Sequence, residues 1–169
     1  MERLASSLDA ENGDPSQVSL VSLAEKIAKN LGVRNDEVAI LAVSHRWRHL
    51  HFLVPEALKK VGFIPLSSNS ALAARTARDS RPEIENNFST ARHATVFEGV
   101  KITAEAAEAI QKMISAPILL DGKVIGVIQV SRKGASPANA GLDFTADDLG
   151  KILAFCKPLG RMLRHFAAE

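Results

Sequence analysis

Residues 116–153 read APILLDGKVIGVIQVSRKGASPANAGLDFTADDLGKIL, and their order decides the fold. Two apolar runs flank Asp121-Gly122, a pair whose tolerance of positive φ makes it the strongest short signal for a two-residue hairpin turn. In the second run, Val124, Ile128 and Val130 are expected on one face and Ile125 and Val127 on the other. A strand apolar on both faces belongs in the middle of a sheet, covered from both sides. The run ends at Ser131-Arg132-Lys133, a loop of small residues follows, and Phe144-Thr145-Ala146-Asp147-Asp148 opens a long amphipathic helix. Its predicted stripe is Leu149, Ile152, Leu153, Cys156, Leu159, Leu163 and Phe166. Pro158 falls inside that helix and predicts a kink, because it lacks an N–H and crowds the carbonyl of Ala154.

Working back from the hairpin, the rest of the chain supplies partners for it. Asp14-Pro15-Ser16-Gln17 reads as a helix start, with Asp14 as cap, Pro15 in the first turn and Gln17 placed to reach back. Val18, Val21, Ala24, Ala28 and Leu31 recur at helical spacing, joined by Leu20, Leu23 and Ile27, and Gly32 ends the pattern. So wide an apolar arc predicts contact with both the helix's own sheet and a second surface. Strands are expected over 38–44 and 49–54, joined by His45-Arg46-Trp47-Arg48 and stopped by Pro55. A short apolar run covers 63–66. Ser67-Ser68-Asn69-Ser70 then caps a helix over 71–79, Ser80-Arg81-Pro82 closes it, and 83–86 suits an edge strand. Residues 87–97 are irregular, and TAEAAEAIQKM at 103–113 predicts a further helix from its alanine and glutamate content. The order predicts an α+β fold, an antiparallel sheet with helices on both faces. Residues 1–13 lack an apolar period and are expected to be a flexible tail, leaving 14–169 as a single domain.

Composition narrows the function. A chain of 169 residues with 46% apolar and 24% charged residues can bury an ordinary globular core. No apolar run approaches the roughly 20 residues of a membrane span, and the polar N-terminus lacks the apolar core of a signal peptide. The single cysteine, Cys156, excludes an internal disulfide and a four-cysteine metal site, so a cytoplasmic location is expected. A net charge of +2, no long basic run, one tryptophan and no tyrosine argue against a nucleic-acid partner.

The hairpin, the Phe-Thr-x-x-Asp helix start at 144–148 and the stretch LAARTARDSRP at 72–82 together resemble GAF domains over about residues 16–168. The resemblance implies a central antiparallel sheet with the N- and C-terminal helices packed together. It also implies a small-molecule-sensing, dimerising module. Two glycines common in the family's middle helix are Ala71 and Ala74 here. Cyclic-nucleotide-binding members carry a spaced Asn-Lys-Phe-Asp-Glu signature, which this chain matches only at Lys133, Phe144 and Asp148; Arg132 and Leu149 replace the other two. The residues themselves suggest a clasp, with Lys133 pairing with Asp148 in the helix's first turn and Phe144 buried beneath. By resemblance, a ligand pocket would be lined by Phe63, Leu66, Leu72, Ala73, Asn87, Phe88, His93 and Phe97. Leu72 and Ala73 resemble positions where backbone groups meet a purine ring, Asn87 is near a family acidic position, and His93 falls in the family's lid region. Bilin-binding relatives use a cysteine near mid-domain, whereas Cys156 is on the last helix. Relatives that reduce free methionine sulfoxide need attacking and resolving thiols, and one cysteine cannot supply both.

Other candidate chemistry competes with plainer readings. His49 and His51 alternate on one strand face with His45 across the turn, a spacing that can share a metal. With no carboxylate or cysteine beside them, a solvated face is the preferred reading and no metal is expected. Arg75, Arg78, Arg81 and Arg92 can draw in an anion or simply wet a helix face. No Ser-His-Asp arrangement, P-loop or metal-hydrolase motif appears. The resulting expectation is a non-catalytic, cytoplasmic regulatory domain with no cofactor named. It would bind a small molecule, a cyclic nucleotide or purine remaining open, and act as a homodimer. Because the chain starts and ends close to the module, occupancy would pass through the terminal helices to a separate output protein. The alternative is a ligand-free dimerisation or docking module.

Overall fold

The computed structural model describes residues 15–55, 58, 62–69, 71–87 and 109–164. The expected tail over 1–13, the Asp14 cap, Phe166 and residues 88–108 lie outside the described residues. In chain order the elements are α1 (Pro15–Leu31), a 3-10 turn (Asn35–Glu37), β1 (Val38–Ser44), β2 (His49–Val54), β3 (Phe63–Pro65), α2 (Leu72–Asp79), β4 (Glu83–Glu85), β5 (Ala109–Leu120), β6 (Lys123–Gly134), α3 (Pro137–Ala140) and α4 (Ala146–Leu163). Among the described residues, six strands form one sheet in the order β3-β2-β1-β6-β5-β4, every neighbouring pair antiparallel.

The hairpin turns as the sequence predicts. Asp121 and Gly122 take φ of 53° and 79°, the left-handed pair that matches the twist of flanking strands. Central β1 and β6 alternate their side chains between two apolar layers. Val38, Ile40, Ala42, Ile128 and Val130 face α1 and α4, while Leu41, Val43 and Val127 face α2. α1 buries Leu20, Leu23, Ala24, Ile27, Ala28 and Leu31 against the sheet and α4, which accounts for most of its wide arc, while Val21 stays 38% exposed. Gly32, at φ 68°, lets the chain leave the helix. At the other end, Thr145 caps α4: its hydroxyl accepts from the Asp148 N–H at 3.2 Å, and its own N–H donates to Asp148 Oδ2 at 2.9 Å.

Three expectations need correction. The helix predicted over 103–113 is overturned where the chain is described, because β5 begins at Ala109 and pairs with β6 from Gly134 onward. Helix propensity is worth only tenths of a kcal/mol per residue. Extending β5 gives the end of β6 a hydrogen-bonding neighbour and buries Met113 against Leu72. The face assignment on β6 also changes: Ile125 packs with Ile128 and Val130, whereas Val124 joins Val127. Leu119 pairs with Val124 and Ile118 with Gly126, leaving Ile125 as the extra residue of a β-bulge that resets the alternation. Finally, Leu153 is 41% exposed and leaves the buried stripe of α4, where Gly160 is buried instead. The helix continues through Pro158 to Leu163.

Candidate functional site

A cavity of about 620 Å3 opens on the α2 side of the sheet, at the end where β1, α2 and the β5–β6 hairpin all turn. That volume falls within the range of small-molecule pockets. Val43, Leu66, Ala77 and Val124 supply apolar wall; His45, Arg48, Arg78, Ser67 and Ser80 supply polar groups, and Gly122 completes the rim.

Tight backbone turns build this rim. Among the described residues, three other than glycine have positive φ: Arg48 at 56°, Ser80 at 53° and Asp121 at 53°. Arg48 and Ser80 line the cavity, and Asp121 adjoins Gly122, which also does. Left-handed backbone costs an ordinary residue about 1–2 kcal/mol, and such costs persist where surrounding bonds hold them. The bonds are present. The Arg48 carbonyl accepts from Leu66 N–H at 3.0 Å, tying the β1–β2 turn to the segment after β3. Ser80 N–H donates to the Thr76 carbonyl at 2.9 Å and closes α2. Arg78 Nη1 donates to the carbonyls of Leu66 at 2.5 Å and Ser68 at 2.7 Å, fixing the lip opposite.

Beneath α2, a buried polar ladder runs beside the apolar packing. Gln129 Nε2 donates to Ser115 Oγ at 3.2 Å, Ser115 Oγ lies 2.7 Å from Thr76 Oγ1, and Thr76 Oγ1 donates to the Leu72 carbonyl at 2.9 Å. If the Thr76 proton goes to Leu72, the Ser115 proton must go to Thr76, so every link is satisfied in one direction. The ladder fixes α2 to the two hairpin strands.

Of the eight residues expected to line a pocket, the structure places five. Leu66 lines the cavity. Leu72 packs with Met113, and Ala73 joins the core between α2 and the sheet. Asn87 is exposed. Phe63, 59% exposed, lies on the opposite sheet face and stacks on His49 with ring centroids 4.0 Å apart. Phe88, His93 and Phe97 lie outside the described residues. Sequence reasoning weighed His45 only for metal and Arg78 only for an anion. It missed Val43, Arg48, Ser67, Ala77, Ser80, Gly122 and Val124, although the turn signals at 45–48, 80–82 and 121–122 marked three of the converging segments.

The expected Lys133–Asp148 clasp is not made. Lys133 Nζ donates to the Asp36 carbonyl at 3.2 Å and its N–H to Glu37 Oε2 at 2.7 Å, while Asp148 serves its own helix cap. Lys133 is drawn to the 3-10 turn before β1, distant in sequence, whereas Asp148 takes the partner its own helix end supplies. Phe144 is buried as expected, but Arg132 covers it, its guanidinium 4.9 Å from the ring centroid. Asn86 holds the Phe144 backbone from both sides, at 2.8 and 3.1 Å. Lys112, with its ammonium 2.9 Å from Asp143 Oδ1 and bonded to the Gly141 carbonyl, closes the loop instead.

The three histidines diverge. His49 and His51 lie edge to face at 6.0 Å on the side of Ala42, whereas His45 lines the cavity. Among the described residues, no group of three or more His, Cys, Asp or Glu converges to hold a metal ion. Cys156 is buried between α4 and the sheet, and burial pushes its thiol up to about 12. Since the thiolate is the reactive form, the folded chain keeps this sulfur inert at neutral pH. Among the described residues, no helix is long and apolar enough to cross a membrane.

No protein-family model and no curated protein matches the chain. Solved structures do. The GAF domain of an Acinetobacter phosphoenolpyruvate-protein phosphotransferase superposes with a TM-score of 0.66 at 16% identity, covering 97% of this chain and 90% of that one. A type II free methionine-R-sulfoxide reductase from Thermoplasma acidophilum gives 0.62 at 12% identity, over 90% of this chain and 94% of that one. The GAF domain of a Bacillus halodurans two-component sensor histidine kinase gives 0.58 at 15% identity, over 86% and 93%. The chain has the GAF-domain fold: an open six-stranded antiparallel sheet, with α1 and α4 on one face and α2 on the other.

Proposed function

We propose that this is a non-catalytic regulatory module that binds a small molecule in the cavity beside α2 and passes occupancy to its terminal helices. The supporting observation is the cavity rim, where the described left-handed, non-glycine residues gather around a pocket of ligand size. Signalling and sensory GAF domains among the structural neighbours agree with this reading. The buried, unreactive Cys156 and the lack of a second cysteine favour binding over thiol catalysis.

The hairpin supplies a route out of the cavity. Val124 lines the pocket and pairs across the hairpin with Leu119. On the far face, α4 comes so close that a Cβ on Gly160 would stand 2.6 Å from the Leu119 carbonyl oxygen. A ligand that pressed on Val124 in one state more than in another would therefore bias the seat of α4 by that difference in affinity. A second reading, a docking or dimerisation module without ligand, is favoured by exposed Val21 on α1 and Leu153 on α4.

Native mass spectrometry beside the denatured mass tests both. A reproducible non-covalent adduct is expected, and hydrogen exchange with that ligand should slow in the hairpin and in α4 together. A clean dimer with no adduct selects the docking module, and a strict monomer removes the helical interface.

A further inference from the structure

The cavity's charge is one-sided. Arg48 and His45 come from the β1–β2 turn and Arg78 from α2, and none of the described lining residues carries a carboxylate. Asp79 and Asp121 adjoin lining residues in sequence without lining the cavity themselves. Neither Arg48 nor His45 makes an ion pair among the described residues. Arg78 uses Nη1 for the two carbonyls, which orients its guanidinium while leaving Nε and Nη2 unpartnered among the described residues. Ser67 and Ser80 add hydroxyl groups that can donate to an acceptor. Beside the Gly122 rim, the remaining wall is aliphatic: Val43, Leu66, Ala77 and Val124. Two arginines in a concave, partly apolar site concentrate positive potential, and their forked donors match carboxylate or phosphate oxygens.

We infer that the ligand is a small organic anion, a carboxylate or phosphate monoester with an apolar body. Its charged end sits between Arg48, Arg78 and His45, and its body lies against Val43, Leu66 and Val124. This rests on the cavity being the ligand site.

Phenyl phosphate, benzyl alcohol and phosphatidylglycerol vesicles, titrated calorimetrically into the full chain, test it. Phenyl phosphate should saturate one site at least tenfold more tightly than benzyl alcohol and weaken as salt is raised, as charge-assisted recognition requires. Arg48→Asn removes the charge while keeping a residue that tolerates left-handed backbone. It should cost about tenfold in phenyl phosphate affinity at unchanged Tm, and Lys151→Gln on α4 should cost nothing. Equal affinity for benzyl alcohol overturns charge recognition but leaves a ligand cavity and the proposed function standing. Binding to vesicles alone overturns the inference in favour of a surface patch. Failure of phenyl phosphate to bind overturns it too; if native mass spectra also show no adduct, the ligand-sensing reading falls with it.

Discussion

The two faces of one sheet are built to different specifications. Under α1 and α4, leucines, isoleucines and valines interlock around fully buried Ile40, Ile118 and Ile128. Under α2 the sheet still presents large side chains, Leu41, Leu50, Phe52 and Ile64, but the helix meets them with Ala71, Ala73 and Ala74. Beside them lie the Thr76–Ser115–Gln129 ladder and then the cavity. Close-packed apolar interiors resist deformation and lose stability sharply when hollowed. A face with small residues, polar links and a void has room to adjust. The difference assigns stability to one face and response to the other, with the hairpin belonging to both.

Adjacent residues of β6 measure that contrast directly. Ile128 and Val127 are both 0% exposed but face opposite layers. Ile128→Ala should cost about 3–4 kcal/mol, since large-to-small changes in well-packed cores lose both transfer and cavity terms. Val127→Ala should cost about 2 kcal/mol, because less volume is removed beside contacts that can relax. Urea unfolding gives both numbers. Ile128→Ala deletes one more carbon than Val127→Ala, worth about 1 kcal/mol by itself. Equal costs would therefore mean that the α2 layer yields less per deleted carbon, and the contrast would be lost.

Gly160→Ala probes the join between the faces. Alanine gains about 1 kcal/mol of helix propensity over glycine. Its Cβ would nevertheless meet the Leu119 carbonyl oxygen at 2.6 Å, with no flexible side chain to yield. A net loss of about 2 kcal/mol is expected from that overpacking, with faster hydrogen exchange at Leu119 and Val124. A rise in Tm would show that α4 is free to lift from the hairpin, and the route from cavity to helix would lose its contact.

Periodicity made the first face legible in the sequence, while the second was only partly so. β1 and β2 match their predicted spans, and the Asp121-Gly122 turn, α1 after its cap and the start of α4 follow their local signals. Those signals reside in neighbouring residues, as do the alternation and helical spacing that define the larger core. Ala109 to Met113 read as helix because composition there favours one, and only the pairing with distant β6 makes them strand. The bulge at Ile125 escaped for the same reason, being a property of two strands together. The cavity draws two or three residues from each of four segments far apart in the chain, so three of the turns were readable but their meeting was not. Lys133 and Asp148 show a further error: a pairing read from the residues themselves is not made, because Lys133 meets Asp36 across the fold while Asp148 closes its own helix cap.

Ser115→Ala tests whether the ladder carries the α2 face. The change removes the acceptor for Gln129 Nε2 in a site where Ser115 is 0% and Gln129 3% exposed. An orphaned buried donor costs about 1–3 kcal/mol, and adding Gln129→Leu should recover part of it by removing that donor. Thermal melts of the single and double variants give the comparison. No loss in the single variant would mean that the face holds together through its alanines and apolar strands alone.

The smallest effect is expected at the rim of the responsive face. Arg75 on α2 forks onto Glu83 of β4, with Nε 2.9 Å from Oε2 and Nη2 2.8 Å from Oε1. The geometry is that of a strong pair, yet the side chains are 39% and 36% exposed. Water screens both charges and competes for both forks, so a double-mutant cycle with Arg75→Ala and Glu83→Ala should return about 0.5 kcal/mol. That value would leave α2 tied to the sheet mainly by its buried ladder, free to shift at the end where the cavity opens. A coupling above about 1.5 kcal/mol, beyond the usual range for exposed pairs, would instead make the bridge a second anchor. The α2 face would then be pinned at both edge and centre, and movement on ligand binding would have to come from the hairpin alone.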